Sequence, residues 1–272
     1  MHNNIIGVIV SKLLRKLRML FIQHELQRTA QNLVANNIKN GEHVLVVSSS
    51  DQSKELIDAI VTAASSTGAA SVSAIIIACP EVLRDYKHPP AVIASVESAD
   101  LTIVATSLRF PRAYDDLSEA LFKAGKRQVL INNAPLEDFT RGASLADPIK
   151  LNRRTHALAA KISKGKIVRV TSGNGTDLSV RVSRPCIALT GRAELDTGFG
   201  SFPSGEAMLS PEERTAEGTF VADSFGQVVY LNGSGPQLGS LEDPISLKFE
   251  KGELKQIEGG KAAGRLKTIL KK

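Results

Sequence analysis

The chain has 272 residues, 42% of them hydrophobic and 4% aromatic, with no tryptophan, which predicts a globular protein of one large or two medium-sized domains. Its net charge of +6 is confined to the ends, because residues 1–22 and 261–272 together carry nine basic residues and no acid, and the chain between them is slightly acidic. Scarce aromatic side chains and a body without basic excess argue against a nucleic-acid-binding protein.

The first 22 residues predict a basic amphipathic helix that extends from the body of the chain. Apolar residues share one helical face, and basic residues lie elsewhere: Ile6, Val10, Leu13, Leu14, Leu17 and Phe21 against Lys12, Arg15 and Lys16. The stretch is too short for a membrane span and lacks a signal-peptide pattern. We expect it to pack on the body. Association with a membrane surface and a mis-called start codon are the alternatives.

Residues 23–162 alternate between helical and strand patterns. Helices are predicted at 24–37, from an N-cap at Asp51 to a stop at Gly68, and at 90–98, 113–123 and 147–162, and strands at 43–47, 71–78, 101–105 and 127–131. This alternation predicts an α/β domain with a mostly parallel sheet and helices on both faces.

Ligands bind beyond the carboxyl ends of the strands in such sheets. The loops there, at 48–51, 106–109 and 132–135, are polar, but none contains a dinucleotide-binding or P-loop glycine pattern. The serine run at 48–50 therefore indicates a helix-capping loop rather than an anion site.

Residues 163–272 have a different sequence pattern, which predicts a strand-rich (α+β) domain of antiparallel hairpins. Short strands are predicted at 166–171, 178–182, 218–223, 227–231, 245–250 and 253–257, with a helix after Gly260. The fold class is therefore α/β, with the parallel-sheet domain followed by this second domain.

The two cysteines, Cys79 and Cys186, are isolated in sequence and have no Cys-x-x-Cys partner. They predict neither a disulfide framework nor a zinc knuckle, and we interpret both as small core residues. This usage is typical of a reducing cytoplasm, which is the predicted location.

The stretch Ser201-Phe202-Pro203-Ser204-Gly205-Glu206 places a carboxylate directly after a Pro-x-Gly turn. Such a turn fixes the backbone, so that Glu206 can be presented to a cavity as a metal ligand or an acid–base group. From this chemistry alone, a solvated turn residue is the favoured interpretation.

An ordered set of motifs gives this carboxylate a context. The motifs are 171–172 with Gly175-Thr176-Asp177-Leu178, then Phe202-Pro203-Ser204-Gly205-Glu206, then Glu217-Gly218-Thr219, then Asp243-Pro244-Ile245 and Ile257-Glu258-Gly259-Gly260. With weaker matches at 38–46 and 89–100, this set resembles the aminopeptidase T (thermophilic metalloprotease) family over residues 26–270. That group also takes in the 2,5-dihydroxypyridine 5,6-dioxygenases.

The resemblance implies a metal-dependent aminopeptidase-like hydrolase that releases N-terminal residues from a small peptide. Glu206 would be a ligand of a two-metal site holding zinc, cobalt or a similar divalent ion, which activates a water for attack. The alternative is an iron-dependent, ring-cleaving dioxygenase acting on a small molecule, with Glu206 as one carboxylate beside histidines. The resemblance also implies a possible homodimer. From composition we expect no nucleic-acid partner, and we also expect no membrane partner.

The sequence departs from the family pattern after the Gly-Gly helix. Family members continue into a segment with a second Glu, then His, Tyr and a His-x-Asp element, whereas this sequence ends at Lys272 and has no histidine after Glu206. One carboxylate is an incomplete ligand set, since catalytic ions ordinarily take three or more protein ligands. We therefore expect a truncated or inactive enzyme, an enzyme whose remaining ligands come from elsewhere, or a non-catalytic binding or assembly module. No catalytic residue is assigned.

Other polar residues receive structural interpretations. Asp177 is interpreted as a turn residue and Asp223 as the end of a strand. Three arginines are interpreted as solvated or ion-paired side chains that could alternatively receive a substrate carboxylate: Arg181, Arg184 and Arg192. His156 is given no role.

Overall fold

The computed structural model describes residues 2–78, 86–106, 116–132, 135–194, 198–230 and 233–271. The chain forms two compact units, one of residues 1–152 with 189–206 and the other of residues 153–188 with 207–272. The predicted division at residues 22 and 162 stays a prediction.

The first unit contains a five-stranded, entirely parallel sheet in the order β2-β1-β3-β4-β8. Its strands are β1 (His43–Ser49), β2 (Ser71–Ile77), β3 (Leu101–Thr106), β4 (Arg127–Asn132) and β8 (Phe199–Ser201). The central strands are apolar and buried because helices cover both faces of the sheet. This confirms the α/β parallel-sheet prediction.

Alternate residues along the strands separate the core into two halves. One half packs side chains such as Val46 and Ile103 against α1 (His2–Asn37) and α2 (Lys54–Ser65). The other half packs residues such as Val47 and Val104 against α3 (Pro90–Ser98) and α4 (Asp116–Lys123). The period-two alternation of a strand thus divides its apolar side chains between two helical layers.

The start of α2 differs from the prediction. The N-cap is Ser53, whose Oγ accepts a hydrogen bond from the Leu56 N–H at 3.3 Å, and not Asp51. The turn that leaves β1 uses the preceding residues, since Ser50 N–H donates to Ile77 O and Gln52 N–H donates to Ser49 O. The helix therefore begins only once the chain has left the sheet edge. Gly68, with φ +81°, follows its end as expected.

The helix α1 is continuous over 36 residues, so the N-terminal extension and the first predicted helix of the body are one element. Its packing into the core begins near Leu26, whereas Leu13, Leu17 and Phe21 are each more than half exposed. The expectation that the first 22 residues pack on the body is therefore wrong for this stretch. No helix in the described part of the chain is long and apolar enough to cross a bilayer.

The second unit is antiparallel, as predicted. Its main sheet has the order β14-β13-β10-β6-β5, formed by β5 (Ile167–Thr171), β6 (Asp177–Arg181), β10 (Glu217–Ala222), β13 (Ile245–Glu250) and β14 (Glu253–Glu258). The chain also forms a hairpin of β11 (Phe225–Tyr230) with β12 (Gly233–Ser240), a short pair of β7 (Ile187–Leu189) with β9 (Glu206–Met208), α5 (Pro148–Ile162) and α6 (Lys261–Leu270). Ala263 of α6 packs on Leu238 and Ile245.

Gly218 explains one of the sequence motifs in this sheet. Its φ is +111°, and a Cβ atom there would lie 2.1 Å from the carbonyl oxygen of Asp177. Only glycine permits this approach of β10 to β6. The Glu-Gly-Thr motif is thus a packing requirement of the sheet.

Candidate functional site

The Pro-x-Gly turn begins where the chain leaves the parallel sheet, at the carboxyl ends of its strands. Strand β8 runs parallel to β4, with Ser201 beside Leu130, and the Phe202 N–H donates to Leu130 O at 2.8 Å. The turn that follows therefore lies beyond the carboxyl ends of the strands, where open α/β sheets bind their ligands.

Hydrogen bonds to the carbonyl oxygen of Leu189 hold the backbone of the turn in place. Ser204 Oγ and Gly205 N–H both donate to the carbonyl oxygen of Leu189, at 2.7 and 3.1 Å. Gly205 has φ +124°, and a Cβ atom there would lie 2.7 Å from Leu151 Cδ1. The positive φ favours glycine at this position, and the two hydrogen bonds to Leu189 O hold the backbone just before Glu206.

The segment beneath the turn is held by two buried polar side chains that the sequence did not indicate. Asn37 Nδ2 donates to Leu33 O and Gly191 O, both at 2.9 Å, and its Oδ1 accepts from Ala193 N–H at 2.8 Å. Arg127 donates to Asn37 O at 2.9 Å. Together these bonds tie the end of α1 and the start of β4 to the irregular segment 191–193, which follows Leu189.

Arg127 is compensated by Glu42. Its Nη2 lies 2.6 Å from both carboxylate oxygens, and the side chains are 6% and 16% exposed. A charge this deeply buried is tolerated because the partner and the backbone carbonyl satisfy it. The network thus holds the end of α1 and the start of β4 against the segment that contains Gly191 and Ala193.

A small cavity lies behind the turn, lined by residues that include Leu151, Thr190, Phe202 and Ser204. Its volume is about 20 Å³, which suits a single water molecule and not an aromatic ring. The ring of Phe202 packs against Phe139 with 5.8 Å between centroids. This cavity is therefore too small for an organic ligand.

Glu206 itself is exposed at the start of β9. Among the described residues, no three His, Cys, Asp or Glu side chains gather in a way that could hold a metal ion. The described residues therefore do not fit a complete metal site. Glu206 is at most one member of a ligand set.

The other acidic candidates are engaged elsewhere. Asp177 forms two hydrogen bonds with the Arg169 guanidinium, at 2.7 and 2.8 Å, and these bonds lower the pKa of its carboxyl. Asp223 accepts from Asn174 Nδ2 at 2.8 Å, which ties two turns together. Both have structural partners, but the partner of Asp177 is Arg169 on the neighbouring strand β5 and not the turn that was expected from sequence.

The surroundings of the arginines and of the remaining candidates also indicate no specific functional role. Arg181 lies 3.4 Å from Glu212, Arg192 lies 3.7 Å from Glu194, and Arg184 and His156 are exposed. Cys186 is half-buried, which only partly fits a core residue. Cys79 lies outside the described residues.

A buried histidine–aspartate pair was missed by sequence reasoning. His88, 6% exposed, precedes α3, and its Nδ1 and backbone N–H donate to the carboxylate of Asp116 at the start of α4, at 2.7 and 2.9 Å. Tyr86 packs edge-on against the His88 ring, with 5.1 Å between centroids. The pair joins the connections after β2 and β3, but its members are 28 residues apart and no sequence motif links them.

The free energy of unfolding at acid pH provides a test of this pair. Burial alone would raise the pKa of Asp116, but the hydrogen bonds from His88 outweigh it and leave the pKa below its usual value of 3.8. A depressed folded pKa stabilises the protein above the unfolded pKa, and this contribution is lost as pH falls through the folded pKa. We expect Asp116→Asn to lower the free energy of unfolding by about 1–3 kcal/mol at pH 6 and by much less near pH 3.

Urea denaturation of both proteins at several pH values measures this difference. Glu119→Gln, on the exposed side of the same helix, is the matched control and should leave the denaturation midpoint unchanged. A constant difference between wild type and Asp116→Asn across the acid range would contradict the assignment.

Comparisons with known proteins identify the family. A sequence model of the NicX family, described as 2,5-dihydroxypyridine 5,6-dioxygenase, matches residues 25–272. A curated 2,5-dihydroxypyridine 5,6-dioxygenase from Pseudomonas putida KT2440 is 27% identical over 178 residues, which are 65% of this chain and 47% of that protein. The chain thus matches about half the length of this relative.

Two solved structures share the fold. The structure of 2,5-dihydroxypyridine dioxygenase from Pseudomonas putida KT2440 has a TM-score of 0.68 at 21% identity, covering 92% of this chain and 72% of that one. AmpT from Thermus thermophilus has a TM-score of 0.61 at 15% identity, covering 91% of this chain and 74% of that one. At these identities, the likeness concerns the fold alone.

The expected function needs correction. The aminopeptidase-like, hydrolytic reading is contradicted, because the family model and the curated relative both carry the name of a dioxygenase and AmpT is similar in fold only. The dioxygenase structure and AmpT are both similar to this chain in fold. With its match over residues 25–272, the chain belongs to the NicX, or 2,5-dihydroxypyridine 5,6-dioxygenase, family.

Proposed function

We propose that this protein is a metal-dependent dioxygenase that opens the ring of a small hydroxylated nitrogen heterocycle of the 2,5-dihydroxypyridine class. The observation that carries the proposal is the family match over residues 25–272. The name of the curated relative supports the substrate class, although the alignment covers 47% of that relative.

Iron is the metal that we propose, with Glu206 as one carboxylate ligand. Non-haem iron oxygenases commonly use one carboxylate and two histidines with open positions, and the iron supplies the chemistry with dioxygen. The support for Glu206 is its place after an anchored turn beyond the carboxyl end of β8. Since the described residues do not complete a site around it, no reaction step is assigned to the metal.

The contribution of the described residues is therefore positional. The two hydrogen bonds to Leu189 O and the positive φ of Gly205 fix where the Glu206 backbone begins. The packing of Phe202 on Phe139 closes the space under the turn to anything larger than water. A heterocycle bound by Glu206 would therefore not occupy the cavity behind the turn.

Oxygen uptake tests the proposal directly. The purified protein is loaded with Fe(II) without air and mixed with 2,5-dihydroxypyridine and oxygen, and both oxygen and the ring absorbance are followed. We expect equal consumption of the two in the wild type and a rate at least about 100-fold lower in Glu206→Gln, because a lost ligand costs more than a lost outer-shell contact.

Glu213→Gln provides the matched control, since Glu213 is an exposed glutamate seven residues further along the chain. Its activity should equal that of the wild type. Hydrolysis of an amino-acid anilide without oxygen uptake would overturn the proposal in favour of a hydrolase. Failure of both reactions with iron bound would point to a non-catalytic binding module.

A further inference from the structure

The N-terminal half of α1 exposes a stripe of apolar side chains. Leu13, Leu14, Leu17, Leu20 and Phe21 are 54–61% exposed. Isolated exposed apolar residues are common on protein surfaces, but these five share one helical face over two turns. This face has no cover in the described structure of the chain.

The stripe lies on the side of the helix that points away from the core. The C-terminal half of α1 packs into the core through Leu26, Ala30, Leu33 and Val34. At 3.6 residues per turn, the centre of the stripe lies roughly 150° around the helix from the centre of this core-facing set. Because α1 is one continuous helix, the stripe cannot be an extension of the face that is buried in the core.

The charge of the same segment has one sign. Residues 1–22 contain four basic residues, Lys12, Arg15, Lys16 and Arg18, and no acid. Counted at 3.6 residues per turn, these positions lie off the apolar stripe. The segment also precedes residue 25, where the family match begins. Neither the core nor the family fold therefore accounts for it.

We propose that the segment of residues 6–21 is a membrane-surface helix that binds anionic phospholipid, with its apolar stripe inserted among the acyl chains. An apolar face flanked by lysine and arginine is the pattern that binds anionic membrane interfaces. A second copy of the segment is a poorer partner, since pairing two stripes would bring eight basic residues together without an acid. The expectation of no membrane partner rested on this helix packing on the body, which it does not do.

Co-sedimentation with vesicles tests this proposal. The full-length protein is mixed with vesicles of phosphatidylcholine alone, or with about a third of the lipid replaced by phosphatidylserine. We expect binding only to the anionic vesicles, weakening as salt is raised. Lys12→Gln with Lys16→Gln should weaken binding roughly 25-fold, because each basic residue near the surface contributes about fivefold.

The apolar contribution is tested separately. Leu13→Ser with Leu17→Ser should weaken binding at least about tenfold while leaving the thermal unfolding midpoint unchanged, since both side chains are already exposed. The charge-matched control is Lys267→Gln with Lys271→Gln on the exposed part of the chain's end, which should bind like the wild type.

Three results would overturn the proposal. These are no sedimentation with anionic vesicles at low salt, equal binding to neutral and anionic vesicles, and an equal loss of binding in the control with Lys267 and Lys271 replaced. A wild-type mass by light scattering that falls to that of a monomer in the Leu13 and Leu17 variant, without vesicle binding, would identify a second copy as the partner instead.

Discussion

Replacing Arg127 by alanine is expected to lower the free energy of unfolding by about 3–5 kcal/mol. The Arg127 side chain is 6% exposed, and its removal leaves the Glu42 carboxylate, 16% exposed, without its counter-charge. It also removes the donor to Asn37 O at 2.9 Å. Urea denaturation followed by circular dichroism measures the loss.

The matched control is Arg169→Ala. Arg169 also forms two hydrogen bonds with one carboxylate, that of Asp177, but the side chains are 65% and 56% exposed. Water replaces such a partner, so we expect little change in the denaturation midpoint. Equal losses in the two variants would show that burial does not govern the Arg127 pair. Combining Arg127→Met with Glu42→Gln should recover part of the loss, because no unpaired charge remains.

Asn37→Asp is expected to lower the free energy of unfolding by about 3 kcal/mol or more. The amide donates to two buried carbonyl groups, those of Leu33 and Gly191, while its oxygen accepts from Ala193 N–H. A carboxylate would place an acceptor against both carbonyl oxygens in a site that is 3% exposed. Thermal and urea unfolding both report the cost.

The neighbouring residue provides the control for this change. Asn36 is partly buried and its amide donates to one carbonyl, that of Asn32. Asn36→Asp should therefore cost clearly less than Asn37→Asp. If the two variants unfolded at the same urea concentration, the Asn37 bonds to the segment beneath the turn would not hold that segment in place.

The parallel sheet could be predicted from sequence because its strands have clear sequence patterns. Val44–Val47 is a continuous apolar run and Leu101–Ala105 is apolar apart from Thr102, and each is followed by a helical pattern and a glycine or proline boundary. A strand that is buried on both faces must have this composition. The antiparallel hairpins were equally clear wherever a tight turn such as Lys251-Gly252 separated two alternating segments.

Elements that depend on distant partners could not be predicted. Strand β8 has three residues, and it exists because β4 offers a free edge. The His88–Asp116 pair and the Asn37 network join residues that are 28 and more than 150 residues apart. Sequence patterns report local periodicity, whereas these contacts are created by the packing of the sheet.

The exposure of the N-terminal half of α1 could not be predicted from sequence for a related reason. The apolar spacing of Leu13, Leu17 and Phe21 correctly indicated a helix with one apolar face. Periodicity does not say where that face points, and it was the core contacts of Leu26 and Leu33 that fixed the rotation of the helix. The assumption that an apolar face must meet the body was therefore wrong.

The turn motif predicted a candidate carboxylate, but it did not predict the chemistry. A carboxylate after an anchored turn suits a hydrolytic metal site as well as an oxygenase site, since both need a fixed oxygen ligand. The activity depends on the other ligands, and the described residues do not gather them around Glu206. Composition and spacing therefore could not distinguish the two chemistries.

Crystals grown with Fe(II) in the absence of air, and measured on both sides of the iron absorption edge, test the role of Glu206 most directly. We expect an anomalous peak at bonding distance from the Glu206 carboxylate, beyond the carboxyl end of β8, and its loss in crystals of Glu206→Gln. An iron peak coordinated entirely by other residues, with Glu206 surrounded by solvent, would contradict the assignment of this carboxylate as a metal ligand.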